Sequence, residues 1–178
     1  LSAGTVRGGS VDVPVTRDLY PEHRKLKASI SAMPLTLAHG LVSYLENFPY
    51  SCTEQLVSMA VPGLILAERP EFGVVKSKEN RSLEDLIAVL RARQNAEGAF
   101  GLWAANEHVV DYTSVYALHF LIEARERGRP VPADVLTNGN NWLKSLAASE
   151  GISLADERAR AYAIYVLTRQ AVVTSNFA

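Results

Sequence analysis

Cysteine occurs once in this chain, at Cys52, which excludes an intrachain disulfide and any Cys-x-x-Cys zinc or redox site. Neither sign of charge dominates: 18 Lys and Arg face 19 Asp and Glu, so the basic field that a nucleic-acid binder carries is missing. Nucleic acid is not an expected partner. No apolar run reaches the ~18 residues of a membrane span, and no basic n-region with an apolar h-region opens the chain. Direct membrane insertion is therefore not expected of it. His23, His39, His108 and His119 are scattered, with no i, i+4 pair of the kind that holds a metal on a helix. No metal or other cofactor is expected. Asp85, Glu97, Asp111 and Asp156 read as caps and solvated surface, because nothing fixes two carboxylates at a defined separation.

What is present is ordinary globular material, 48% hydrophobic and 21% charged over 178 residues, about one to one and a half domains by length. Such a core buries roughly 70% of the unfolded surface without help from disulfides or metal. Leu1 starts abruptly inside what reads as a strand-like polar segment, so the chain is expected to be a piece of something longer.

The chain is organised around Phe48-Pro49-Tyr50-Ser51-Cys52-Thr53-Glu54-Gln55. Pro49 breaks the chain ahead of an apolar run from Leu56, which predicts a turn into a helix with Cys52 to Gln55 in its first turn. Unpaired N–H groups and the positive end of the helix dipole there ease ionisation of a thiol and stabilise an oxyanion. Residues i and i+3 share a side of such a turn, so the Cys52 sulfur and the Gln55 amide carbon can meet. Attack would expel ammonia and leave an internal thioester. The plain alternative is a cysteine that is only a small buried hydrophobe and a Glu54 that only favours a first turn.

Residues 1–32 read as an extended segment, with alternation at 11–15 and 26–30 and prolines at 14 and 21 that favour edge strands or linker. From Pro34 the pattern turns helical. Leu35, Ala38, Leu41, Val42 and Leu45 line a first helix; Leu56, Val57, Ala60, Leu64 and Ile65 face inward on a second, over 54–68, kinked or divided at Pro62-Gly63. Ser82 and Asp85 start a third, with Leu83, Leu86, Ile87, Val89 and Leu90 buried. Asp111 caps a fourth, with Val115, Leu118, Leu121 and Ile122, that stops at Gly128. Pro130 and Pro132 open a fifth, with Val135, Trp142, Leu143 and Leu146 and an irregularity at Asn138-Gly139-Asn140. Ser153 caps a sixth, with Ala161, Ile164, Tyr165 and Leu167. Helices four and six share a phrase: residues 116–121 match 162–167 at an offset of 46, while Glu97-Gly98 matches Glu150-Gly151 at an offset of 53, making the second hairpin loop seven residues shorter. Repeats of this period built from helix pairs form solenoids or closed rings.

The run from Leu45 to Gln55, with Val61-Pro62 after it, resembles the thioester region of bacterial alpha-2-macroglobulins, whose pattern is Tyr-Pro-Tyr-Gly-Cys-x-Glu-Gln. Phe48 replaces the first tyrosine and Ser51 the glycine; the reacting pair is untouched. The likeness continues through 98–103 and 112–118 and covers roughly Ser31 to Gln170. It implies an all-α fold, an α/α toroid of helical hairpins, partial at about half a ring, with residues 1–32 as the end of a preceding β domain or linker and 33–178 as the thioester domain, incomplete at its C-terminus. It implies a protease inhibitor and not an enzyme: Cys52 and Gln55 form the thioester bond, and Thr53 and Glu54 complete the motif. Tyr44, Phe48, Tyr50, Trp103 and Tyr112 are candidates to shield it from water, Tyr50 being bound by sequence to lie near Cys52; the plain alternative for the others is ordinary core or rim aromatics. Target proteases would be captured covalently through lysine, with other domains of the same longer chain as further partners. The implied place is the periplasm, with an inner-membrane anchor in the full-length protein. Complement-type relatives use a histidine in the later hairpin loop; residues 147–156 contain none, which implies direct attack by amines. His108, in the glycine-containing loop, is a candidate to approach Cys52. Two other classes stay open. An α/α-toroid enzyme such as a prenyltransferase or terpene cyclase would need a zinc set or an aspartate-rich motif. A helical-repeat binding module would need neither.

Overall fold

The computed structural model describes residues 4–14, 20–23, 30, 50–66, 76–106, 108–172 and 175–177. The chain divides into two compact units, Leu1–Phe48 and Pro49–Ala178.

In the first unit the described residues form a short 3-10 turn at Pro21–His23 and no strand. The expected extended segment at 11–15 is unpaired over 11–14, with Val11 and Val13 exposed. Two valines split by Asp12 offer little apolar face, and Pro14 has no N–H to give to a ladder. The segment expected at 26–30, apart from Ile30, lies outside the described residues. So do the helix expected from Pro34 and the boundary expected after residue 32.

The second unit is all-α. Its described residues form α1 (Thr53–Leu66), α2 (Lys76–Arg93), α3 (Asp111–Glu126), α4 (Ala133–Ala148) and α5 (Leu154–Arg169), followed by a 3-10 turn at Ser175–Phe177. Helices α1, α3 and α5 stand in a row, α1 against α3 and α3 against α5; α2 packs on α1, and α4 lies against both α3 and α5. Hydrogen bonds tie Thr53 to the loop that leads into α3, and burial, with the Asp156 carboxylate in the first turn of α5, raises the pKa of Asp111 at the start of α3. The N-termini of α1, α3 and α5 are thus gathered at one end.

Helix α3 is the hub. With neighbours in α1, α4 and α5, it buries Val115, Ala117, Leu118, Leu121, Ile122 and Ala124 completely, so its apolar residues are not confined to one stripe. Phe100, Leu83, Leu90, Leu143, Val57, Val135 and Val166 complete the core. The matched phrases in α3 and α5 have a structural counterpart. Tyr116 reaches back to Ser58 on α1, hydroxyl to hydroxyl at 3.4 Å, and Tyr162 reaches back to His119 on α3 at 2.8 Å.

Several helix boundaries and faces differ from expectation. Helix α2 starts at Lys76, so Ser82 and Asp85 lie within it and do not start it; Lys76 to Arg81 contains no breaker and several strong helix formers. Asp111 is the first residue of α3 and not its cap; Val110 takes that place without a side-chain bond. Helix α1 runs unbroken through Pro62. The proline removes one backbone bond, while Val57, Ala60 and Leu64 hold both sides of it in the core. Ile65 and Val89 are exposed, and on α5 the buried face is Ala159, Ala163, Val166 and Leu167, leaving Ala161 and Tyr165 outside. Two ends follow expectation. Gly128, at φ 73°, closes α3 in a Schellman motif, with Gly128 N–H donating to Arg125 O and Arg129 N–H to Ala124 O, each at 2.9 Å. Ser153 opens α5 with a capping box completed by Asp156.

Helix α4 is continuous through Asn138-Gly139-Asn140. Gly139 is there for close approach: a Cβ at that position would run into the Leu118 side chain on α3, itself fully buried. Gly139→Ala should destabilise the protein by about 1–3 kcal/mol, the overpacking penalty outweighing the roughly 1 kcal/mol gain in helix propensity. Urea unfolding with the Leu118→Ala background as comparison checks this, because the smaller neighbour should abolish the loss.

Candidate functional site

The polar end of α1 is built from three parts: the Cys52 to Gln55 turn, the last residue of α2, and the loop 94–110. Cys52 is the cap residue of α1; its carbonyl accepts the Leu56 N–H at 3.0 Å, and its own N–H donates to Gln55 Oε1 at 3.2 Å. That second bond is one half of a capping box, with a glutamine in the third helical position reaching back to the cap. It turns the Gln55 amide toward Cys52, and it leaves the amide oxygen on a backbone donor at a helix N-terminus, where negative charge is favoured. Cys52 is free and only 9% exposed.

Thr53 fastens this turn. Its N–H donates to Leu102 O at 2.9 Å, and its hydroxyl, fully buried, lies 2.6 Å from Gly101 O and 3.1 Å from Leu102 O. The Arg93 guanidinium donates from Nη1 to Thr53 Oγ1 at 3.2 Å and to Leu102 O at 2.9 Å. Burial pulls the Arg93 guanidinium below its ordinary pKa, and the charge of Cys52 works in the opposite sense. Arg93 thus sits on the hydroxyl of the residue that follows Cys52.

The loop that receives Thr53 is itself fixed. Ser114 at the start of α3 accepts Phe100 N–H at 3.0 Å and donates to Phe100 O at 3.1 Å, with the Phe100 ring fully buried. Asn95 Oδ1 accepts the N–H groups of Glu97 and Ala99, and Gln94 Nε2 donates to Gly98 O and to Val135 O on α4. Gly98, at φ 96°, sits on the Asn138 carbonyl, where a Cβ would not fit. Single antiparallel bridges, Gln94 with Phe100 and Gly101 with Val109, close the loop.

No family model matches the chain. It is 32% identical over 99% of its length to the alpha-2-macroglobulin of Rickettsia conorii. It also superposes on the crystal structure of Salmonella alpha-2-macroglobulin reacted with methylamine, at TM-score 0.68 and 30% identity over 78% of this chain and 10% of that one. Escherichia coli alpha-2-macroglobulin activated by trypsin is matched at TM-score 0.62 and 28% identity, over 69% of this chain and 9% of that one. The chain belongs to the alpha-2-macroglobulin family. It spans about 10% of the length of the curated relatives it matches.

Within this alpha-2-macroglobulin segment, the structure brings together Cys52, Thr53 and Gln55; Glu54 points to solvent. Tyr50, Trp103 and Tyr112 are each more than half exposed, and the Tyr112 ring lies 5.6 Å from that of Tyr162. His108 is exposed and makes no hydrogen bond to Cys52 among the described residues. Arg93 was not singled out by the sequence; a basic residue in a last helical turn is commonplace, and only the fold carries it to Thr53, the neighbour of Cys52. Among the described residues no cluster of His, Cys, Asp and Glu is disposed to hold a metal, and no helix is long and apolar enough to cross a membrane.

A second polar cluster joins α3 to α5. Arg169 Nη1 lies 2.7 Å from His119 Nε2, and Tyr162 OH lies 2.8 Å from His119 Nδ1. Arginine only donates, so Nε2 accepts, the proton sits on Nδ1 and His119 is neutral. Burial and the Arg169 charge hold its pKa below the ordinary value, with Glu126 opposing. Glu123, 3.8 Å from Nε2, is engaged by Arg169 and Arg127. Burial beside Tyr112, Tyr116 and Tyr165 pushes the Tyr162 phenol above its ordinary range. A histidine with a lowered folded pKa binds protons more readily when unfolded, so stability is present above the unfolded pKa of ~6.5 and is lost as pH falls from there toward the folded pKa. Urea midpoints between pH 7.5 and 5 should fall with pH, and His119→Gln, which cannot take up the proton, should flatten that slope.

Proposed function

We propose that this chain is the thioester-containing domain of a bacterial alpha-2-macroglobulin that inhibits proteases by capturing them covalently. The observation that carries the reading is the 3.2 Å bond from Cys52 N–H to Gln55 Oε1 at the start of α1. In thioester formation the Cys52 sulfur bonds to Gln55 Cδ and ammonia leaves. The N–H already on the amide oxygen is placed for the charge that develops there, and a helix N-terminus favours it. In capture, an unprotonated lysine amine of the protease bonds to the same carbon, and sulfur departs with the electron pair of the Cδ–Sγ bond. Each molecule reacts once, so the process is capture and not turnover.

Several points of the reading extend beyond the described residues. The row of α1, α3 and α5 backed by α2 and α4 is read as an arc of an α/α toroid, the rest of the ring lying elsewhere in a longer chain, as do the further domains with which it works. Residues 1–32 are read as the end of a preceding domain and 33–178 as the thioester domain. Tyr50, Trp103 and Tyr112 are read as a shield completed by those other domains, since each is more than half exposed here. The compartment is the periplasm, and the full-length protein is anchored at the inner membrane. The relative reacted with methylamine and the relative activated by trypsin are consistent with an amine-sensitive, protease-triggered site.

The half capping box also fits a second reading, a helical binding module in which Cys52 is only a buried cap. Intact mass of the full-length protein separates the two. The thioester form is lighter by one ammonia than the sequence requires, and methylamine adds to it while freeing one thiol. A mass equal to that of the unmodified chain, with Cys52 titrating as free thiol before any amine is added, would leave only the binding module.

Amines should also outcompete hydroxyls. A lysine must lose its proton to attack, so capture should accelerate with pH up to the amine pKa of ~10. Labelling with methylamine should exceed labelling with glycerol by about tenfold or more at equal concentration, in line with direct attack by the more nucleophilic group; equal labelling would exclude direct aminolysis.

A further inference from the structure

Arg93 occupies an uncommon position for a cation. Its guanidinium is partly buried, donates from Nη1 to two neutral oxygens, Thr53 Oγ1 and Leu102 O, and pairs with no carboxylate among the described residues. The other arginines whose ion pairs are described, Arg91, Arg127, Arg160 and Arg169, each meet an acidic side chain. A desolvated positive charge without a counter-ion is costly. The threonine it binds, at 3.2 Å, is the residue next to Cys52 in the chain and the first of α1.

Resting on the thioester reading above, we propose that Arg93 is the positioning residue that supplies the counter-charge for the Cys52 sulfur when the acyl group leaves it. The charge balance of the step requires such a group. A neutral amine nitrogen bonds to Gln55 Cδ, the Cδ–Sγ bond breaks with its pair on sulfur, and the surplus proton of the nitrogen passes to solvent. One new negative charge is left, on Sγ, in a place only 9% exposed. Water cannot solvate it well there, and an opposite charge close by favours the charged form. Arg93 is held for this task by Thr53 Oγ1 itself and by Leu102 O, the carbonyl that also receives Thr53, so the cation and the N-terminus of α1 are tied to one point of the loop. While the thioester is closed the sulfur is neutral and the cation has no charged partner; opening provides one. Arg93 thereby stabilises the late part of the reaction more than the resting state, which is the requirement for a gain in rate.

The competing account is a clamp: Arg93 fixes the loop and its charge is incidental. The full-length protein decides between them through the freed thiol. After opening with methylamine, iodoacetamide labelling of Cys52 is followed against pH in the parent, in Arg93→Gln and in Arg93→Lys. The neutral variant should shift the half-maximal labelling upward by about one pH unit and slow methylamine opening by about tenfold, the equivalent of one unit. Arg93→Lys, which keeps the charge, should stay within about threefold of the parent. Arg93→Met serves as a second neutral variant should the glutamine variant not fold. Identical labelling profiles in parent and neutral variants, or equal losses in the lysine and neutral variants, would overturn the proposal in favour of the clamp. A parent that never loses ammonia leaves Cys52 free from the start, so the labelling profile is still measured; that result fails the thioester reading and separates it from the electrostatic one.

Discussion

The anchoring of α1 by Thr53 is the contact on which the arrangement of the polar end depends. One residue makes three hydrogen bonds to two consecutive carbonyls of a loop some fifty positions later, with its hydroxyl fully out of water. Buried hydroxyls of this kind are held in place because leaving them unpaired costs on the order of 1–3 kcal/mol. The outcome is that Cys52, immediately before it, and Gln55, two residues after it, take their relative orientation from the α2–α3 loop as well as from the helix they begin. A helix start by itself frays; one fastened to a loop that is in turn pinned by Ser114, Asn95 and Gln94 does not have that freedom.

The same loop explains how a bundle of modest size positions chemistry. Its length allows it to fold back between two helices and present Gly101 and Leu102 carbonyls outward, where Arg93 and Thr53 meet them. The next hairpin turn, 149–153, is too short for this and does something simpler: Ser153 and Asp156 cap α5, and the Gly151 and Ile152 N–H groups donate to Glu157 and Asp156 in its first turn. The two hairpins share one helical framework and differ in the loop that was elaborated, which is the usual division of labour between scaffold and connection.

Legibility from sequence followed local physics. Periodic apolar spacing located the five helices, and the glycine at 128 and serine at 153 marked their ends, because caps are decided by a few adjacent residues. The first-turn placement of Cys52 and Gln55 was readable for the same reason, a separation of three, while the contact seen there runs from the Cys52 backbone N–H to Gln55 Oε1 and not from the sulfur on which the expectation was built. Tertiary causes were not legible. Gly139 reads as a breaker in sequence and is a packing glycine because Leu118 lies against it. Tyr165 fits an apolar period and stays exposed because the hydrophobic face of α5 is set by where α3 and α4 lie. Arg93 carries no local signal at all, since its partners are a threonine forty residues earlier and a carbonyl nine later.

Gly98 has an implication for variation at a distance. Its bare α-carbon rests on the backbone of Asn138, so α4 and the loop bearing Leu102 share a seam with no side chain to act as cushion. Such a joint transmits displacement instead of absorbing it. Substitutions on the rear helix, remote from any sulfur, would be felt as a change of alignment at the front, and mutational tolerance along α4 should therefore be uneven, lowest where it touches that glycine.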